Sequence, residues 1–158
     1  MKRKALALCI SLLALGATAP VLASPHSHSH EAQAAPQRLA FNEGRRWATD
    51  APLRRHMEEI GSAIASKSGR ILAGKLSDEE ARALGAAIEA RVAGIVTDCK
   101  LPPAADANLH LVVADLVQAA DILQGRTKEP PQKGTAVAAR ATQMYATYFD
   151  NPGWKPVY

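Results

Sequence analysis

The sequence predicts an all-α protein: an up-down-up-down four-helix bundle with a disordered histidine-containing N-terminal arm. Three observations predict it. Apolar residues recur at helical spacing in four separate segments. The connections between those segments are mostly short, which makes neighbouring helices antiparallel. Aromatic residues make up only 4% of the chain and alanine is abundant, which favours close-packed helices over a sheet.

The elements follow in order. Lys2, Arg3 and Lys4 form a positive start, an apolar run from Ala5 to Ala23 follows, and Val21-Leu22-Ala23 reads as a small-residue cleavage site before Ser24. Residues 1–23 are therefore expected to be a secretory signal, and the product to be periplasmic. Residues 24–37 are rich in Ser, His, Ala, Pro and Gln and read as a disordered arm carrying His26, His28 and His30. Residues 38–158 are the bundle domain. Leu39, Phe41 and Trp47 are expected to pack on its edge. Asp50 caps a first helix, with Pro52 in its first turn. Leu53, Met57, Ile60 and Ile64 form the apolar face of this helix, and Ser68-Gly69 ends it.

Ser77 with Glu80 is a capping box that opens the second helix. Leu84, Ile88, Val92, Ile95 and Cys99 face inward along it, and Pro102-Pro103 separates it from the third. Leu109, Val112, Val113, Leu116, Ala120 and Leu123 are the third helix's apolar stripe, and Gly125 stops it. Residues 126–134 read as a linker. A fourth helix is expected from about Thr135 to Phe149, with Val137, Ala141, Met144 and Tyr148 inward. Asn151-Pro152-Gly153 is a turn that returns Trp154 to the bundle.

Composition narrows the function. Loss of the three leader cations brings the formal charge of +4 close to neutral, and no Lys/Arg cluster remains to bind nucleic acid. No stretch after the leader is long enough to span a bilayer, so no stable membrane insertion is expected after processing. Cys9 falls within the leader. Cys99 is then a single cysteine in an oxidising compartment: core, metal ligand, or a disulfide between two copies of the chain. C-x-x-C-H, H-E-x-x-H, G-x-S-x-G and a phosphate-binding glycine loop are all missing, and the carboxylates show no pairing pattern. The chain is expected not to be an enzyme.

Topology suggests a ligand set. In an up-down bundle, one end carries the start of the first and third helices and the end of the second and fourth. At about 1.5 Å per residue, Met57, His110 and Met144 lie at roughly 9 Å depth from that end, with Cys99 nearer the rim. Thioether and thiolate suit Cu(I), and imidazole suits copper, zinc, nickel or haem iron. Asp106, four residues before His110, is placed to orient the imidazole. Each residue also has a plainer reading. Met57 and Met144 are good core fillers, Cys99 a small buried hydrophobe, and His110 a hydrogen-bonded boundary residue. His56 is expected to be solvated. His26, His28 and His30 are either a metal-capturing run or a spacer. Cleavage before Ser24 makes His26 the third residue, but Pro25 has no N–H to lose, so a square-planar amide copper site is blocked.

The segments LAFNEGRRWATDAPLRRHMEEI (39–60), CKLPPAADANLHLVVADL (99–116) and YFDNPGW (148–154) resemble a family of small exported proteobacterial proteins labelled DnrO-like. The resemblance covers most of the processed chain and is most specific at 99–116. It implies a small exported helical protein and brings no activity with it. The regulatory activity suggested by the label does not suit a chain with a secretory signal. More distantly, the layout is similar to periplasmic four-helix cytochromes. In those, a Met near the start of the first helix and a His near the end of the fourth hold non-covalent haem. Met57 matches the first position. The fourth helix offers Met144, Tyr145 and Tyr148 but no His, which argues against haem. The leading expectation is a non-enzymatic periplasmic protein that binds a transition metal, copper first, with zinc and nickel as alternatives. Met57, Cys99, His110, Met144, His26, His28 and His30 are its candidate ligands. The alternatives are a ligand-free structural or protein-interaction bundle of the envelope and, behind it, a b-type haem electron carrier.

Overall fold

The computed structural model describes residues 38–155 and 157. The expected leader and the histidine arm lie outside the described residues. In chain order the elements are β1 (Trp47–Ala48), α1 (Ala51–Ala65), α2 (Ser68–Leu72), α3 (Asp78–Asp98), α4 (Pro103–Leu123), α5 (Pro131–Tyr148) and β2 (Phe149–Asp150). The four long helices α1, α3, α4 and α5 form the bundle, each packed on the next, with α5 closing back on α1.

The directions alternate. Arg91 of α3 pairs with Glu59 of α1, and Asp98, seven residues later, meets His56, three residues earlier. Arg126, just past α4, reaches back to Glu89 of α3, and Arg140 of α5 reaches Asp115 of α4. The core follows most of the predicted stripes. Val113 of α4 and Met144 and Tyr148 of α5, expected inward, are only partly buried. Tyr145 takes the inward place in α5 because the helix is rotated from the expected face. Leu53, Met57, Ile60 and Ile64 of α1 meet Leu84, Ile88, Val92 and Ile95 of α3. Leu109, Val112, Leu116, Ala120 and Leu123 of α4 and Val137, Ala141 and Tyr145 of α5 complete it. Small residues set the helix spacing. A β-carbon at Gly85 of α3 would lie 2.9 Å from that of Leu123 and 3.0 Å from the Ala120 carbonyl oxygen, so only glycine allows α3 this close to α4.

The helix ends agree with the sequence at several points. The Asp50 carboxylate caps α1 by accepting from Leu53 N–H at 2.8 Å. Its other oxygen accepts from Lys100 N–H at 2.7 Å, so one side chain ties the start of α1 to the chain leaving α3. Both arms of the Ser77–Glu80 capping box form, each at 3.2 Å.

Two boundaries differ from expectation. The first helix stops at Ala65, and Ser68-Gly69 begins the short α2 instead of ending α1. The last helix begins at Pro131, four residues earlier than Thr135. Proline suits a first helical position because its missing N–H has no intrahelical partner there, and the Pro-Pro pair starts the helix where the linker was expected to continue. The parallel pairing of Trp47 with Phe149 and Ala48 with Asp150 was not anticipated. It joins the segment before α1 to the segment after α5. Trp154 does return to the bundle, edge-on to Tyr145 with ring centroids 5.0 Å apart. No helix among the described residues is long and apolar enough to cross a membrane.

Candidate functional site

The end of α3 and the start of α4 place three donor side chains on one cavity. Helix α3 ends because Cys99 turns extended, its N–H still bonded to the Ile95 carbonyl. Lys100 is then held by Asp50, and Pro102-Pro103 starts α4. Asp106 lies in the first turn of α4, and His110 follows one turn later. A cavity of about 220 Å³ opens between the two helices. Cys99, Asp106 and His110 line it, with Ile95, Val96, Leu109 and Val113 as the apolar remainder.

Asp106 orients the His110 ring. Its Nδ1 lies 2.9 Å from the Asp106 carbonyl oxygen and 3.5 Å from the Asp106 carboxylate. Both oxygens are acceptors, which assigns the proton to Nδ1 and leaves the lone pair on Nε2. The ring is 70% exposed, so the boundary position expected from the helical wheel is in fact largely open to solvent. Cys99 is half-buried. Its thiol is pushed up to about 12, chiefly by burial and then by the carboxylates of Asp50 and Asp98. Asp106 adds to this effect and Arg55 opposes it. The thiol is thus neutral near pH 7 and is not an activated nucleophile. The surrounding negative charge favours a cation.

The expected set of four converges only in part. Met57 is fully buried in the core and does not line this cavity. Met144 lines a separate groove between α4 and α5, with Arg38, Leu39, Leu111, Ala114, Asp115 and Tyr148. The helical rise fixes depth along the bundle, but the direction in which each side chain faces depends on the helix's rotation. Depth alone therefore could not assemble the site. His26, His28 and His30 lie outside the described residues. Among the described residues, no three His, Cys, Asp or Glu side chains are close enough together to hold a metal ion unaided.

One polar residue was misjudged. His56 is buried, 5% exposed, and not solvated. Its ring lies across the backbone of α3 at Gly94, where a β-carbon would come within 2.4 Å of Cε1. Its Nε2 donates to Asp98 Oδ2 at 2.9 Å, and Arg55 Nη2 donates to the same oxygen at 3.0 Å. The His56 contact is the main reason the Asp98 carboxyl sits below its ordinary range. The signal was present in the spacing: residues 53, 56, 57, 60 and 64 form one continuous helical stripe. The His56 Nδ1 is buried without a hydrogen-bond partner among the described residues.

No family model, curated protein or solved structure matches the chain.

Proposed function

We propose that this chain is an exported, non-enzymatic four-helix bundle that binds a transition-metal ion, copper first, with zinc and nickel as alternatives. The observation that carries the reading is the shared cavity of Cys99, Asp106 and His110, with the His110 Nε2 lone pair free. Sulfur with imidazole selects soft and borderline cations over magnesium or calcium. The carbonyl and carboxylate of Asp106 give the imidazole the outer support typical of metal-bound histidines. A thiol held neutral by its surroundings is no activated nucleophile, and metal binding there must release its proton. Met57 and Met144 drop out of the ligand set on position.

The test is a titration of the full chain, expressed with its own leader and purified after processing. Cu(I) and Zn(II) are added against competing chelators. Stoichiometric binding tighter than micromolar is expected, with Cys99→Ser and His110→Ala each weakening it by at least about tenfold. Weaker binding by the parent, or variants that match the parent, overturns the reading and leaves an interaction bundle.

A further inference from the structure

A second cavity, of about 390 Å³, lies between α5 and the chain segments that precede α1 and follow β2. Its volume falls within the range of small-ligand sites, about 300–1,000 Å³. Arg46 lines it from the first segment and Trp154 from the last, with Ala139, Gln143 and Ala146 of α5 between them. None of these residues lines the Cys99–His110 cavity.

Each wall is held by contacts of its own. Asn42 N–H donates to the Arg45 carbonyl at 2.8 Å, and Arg45 N–H to the Asn42 carbonyl at 2.9 Å. Glu43 and Gly44 between them have φ of +51° and +81°, the left-handed pair of a tight hairpin turn. Trp47 then pairs with Phe149. Arg46 thus leaves a backbone fixed on both sides. Trp154 packs over Gly61 and edge-on to Tyr145. On α5 the Thr142 hydroxyl is already committed, donating to the Ala139 carbonyl at 2.8 Å. The charge is one-sided. No carboxylate lines the cavity. Arg46 is exposed, and among the described residues no acidic side chain pairs with it. A guanidinium presents its N–H donors in a planar fork that matches a carboxylate.

We propose that this cavity binds a small organic carboxylate with an apolar body. Arg46 takes the carboxylate in a two-point contact, and the Gln143 amide is a second donor on the same cavity. The body lies against Trp154, Ala139 and Ala146. Its burial supplies the free energy that an exposed ion pair alone does not give. An inorganic anion lacks the body and gains only the Arg46 contact. A neutral amide keeps the body and loses the charge. The site does not depend on the metal-binding reading.

The experiment adds benzoate, benzamide or inorganic phosphate to the full chain, processed as above, and follows backbone and indole N–H signals by NMR. The two tryptophans serve as probe and reference. Trp154 lines the cavity, whereas the Trp47 indole N–H is held by the Ala40 carbonyl at 2.7 Å. Benzoate should give saturable shifts at Trp154, Gln143 and Arg46 and far smaller ones at the Trp47 indole. Benzamide and phosphate should each bind at least about tenfold more weakly. Arg46→Gln should weaken benzoate by a similar factor, at least about tenfold. Ala146→Leu should do so as well, because it fills the cavity and leaves Arg46 in place. Neither residue belongs to the buried core, so both variants should keep the parent's thermal transition. Phosphate binding as tightly as benzoate would reduce the site to a surface cation and overturn the proposal. So would benzamide binding as tightly as benzoate, or benzoate binding that the two variants leave unchanged. Shifts centred away from Trp154, or none that saturate, would overturn it too.

Discussion

At the residue scale, His56 and Gly94 form a ring-in-notch contact between α1 and α3. The imidazole occupies the space a side chain at 94 would fill, and Asp98 anchors its outer nitrogen. Gly94→Ala should therefore destabilise the protein by about 1–3 kcal/mol, since the ring must leave its place. In a His56→Ala background the same change should be neutral or stabilising by up to about 1 kcal/mol, because alanine is the better helix former. Chemical denaturation of the four forms checks this, and additive effects would show that ring and notch do not depend on each other. The contact also shows what spacing can reveal. The stripe through position 56 was readable, but histidine carries no strong inside-or-outside preference, so its burial depends on a glycine 38 residues away in sequence. Cys99 and His110 show the complement. Their shared end followed from alternating topology, whereas their shared cavity required the rotation of α3 and α4 about their axes.

At the scale of elements, Glu80 links α2 to the capping box of α3. Its carboxylate accepts from Ser77 N–H within the box and also pairs with Arg70 of α2 and Lys67 just before it. The Arg70 hydrogen bond is the largest cause holding the Glu80 carboxyl at about 2, with the Ser77 contact next. A carboxyl lowered by folding stabilises the native state above its ordinary titration range, and that contribution fades as pH falls toward the folded value. The stability difference between parent and Glu80→Gln should be full at pH 6 and shrink between about pH 4.5 and pH 2. Added salt should shrink it too, since Arg70 is exposed. Denaturation midpoints at several pH values measure it, and a difference independent of pH would refute it. The capping box was legible because its two residues stand three apart. Helix α2 was not, because a five-residue turn of helix between Lys67 and Ala73 lacks a repeated apolar stripe. The early start of α5 was hidden because Pro-Pro serves equally as a linker and as a helix opening.

At the scale of the whole molecule, the segment after α5 completes the core. Tyr145 is fully buried between Phe149, stacked at 5.5 Å, and the edge of Trp154, and burial pushes its phenol up to about 12. Trp154 also covers Gly61 of α1, where a β-carbon would sit 3.3 Å from the indole. Asn151 donates to Glu58 from the same segment. Trp154→Ala should cost about 2–3 kcal/mol, below the range for a fully buried aromatic because the indole is half-buried. Thermal melting tests this, and a shift of no more than a degree or so would mean that the segment adds little. The bundle and the return of Trp154 were readable from periodicity and the Asn-Pro-Gly turn. The β1–β2 pair was not. Two-residue strands have no sequence period, and only the closed bundle brings their backbones side by side.

That pair sets an order of assembly. Trp47 meets Phe149 across most of the bundle's length of chain, and Thr49 hydrogen-bonds to the Asp150 carbonyl beside it. A chain emerging first end first, from a ribosome or a translocation pore, has α1 available long before the residues that cover it. Until the segment after α5 is free, Tyr145 lacks Phe149 and Trp154 as neighbours and α1 lacks Trp154 over Gly61. The hairpins α3–α4 and α4–α5 have only short loops to close and can form on emergence, whereas the seam between the two ends closes last. The nascent bundle thus leaves the Gly61 face of α1 uncovered until Trp154 folds back onto it.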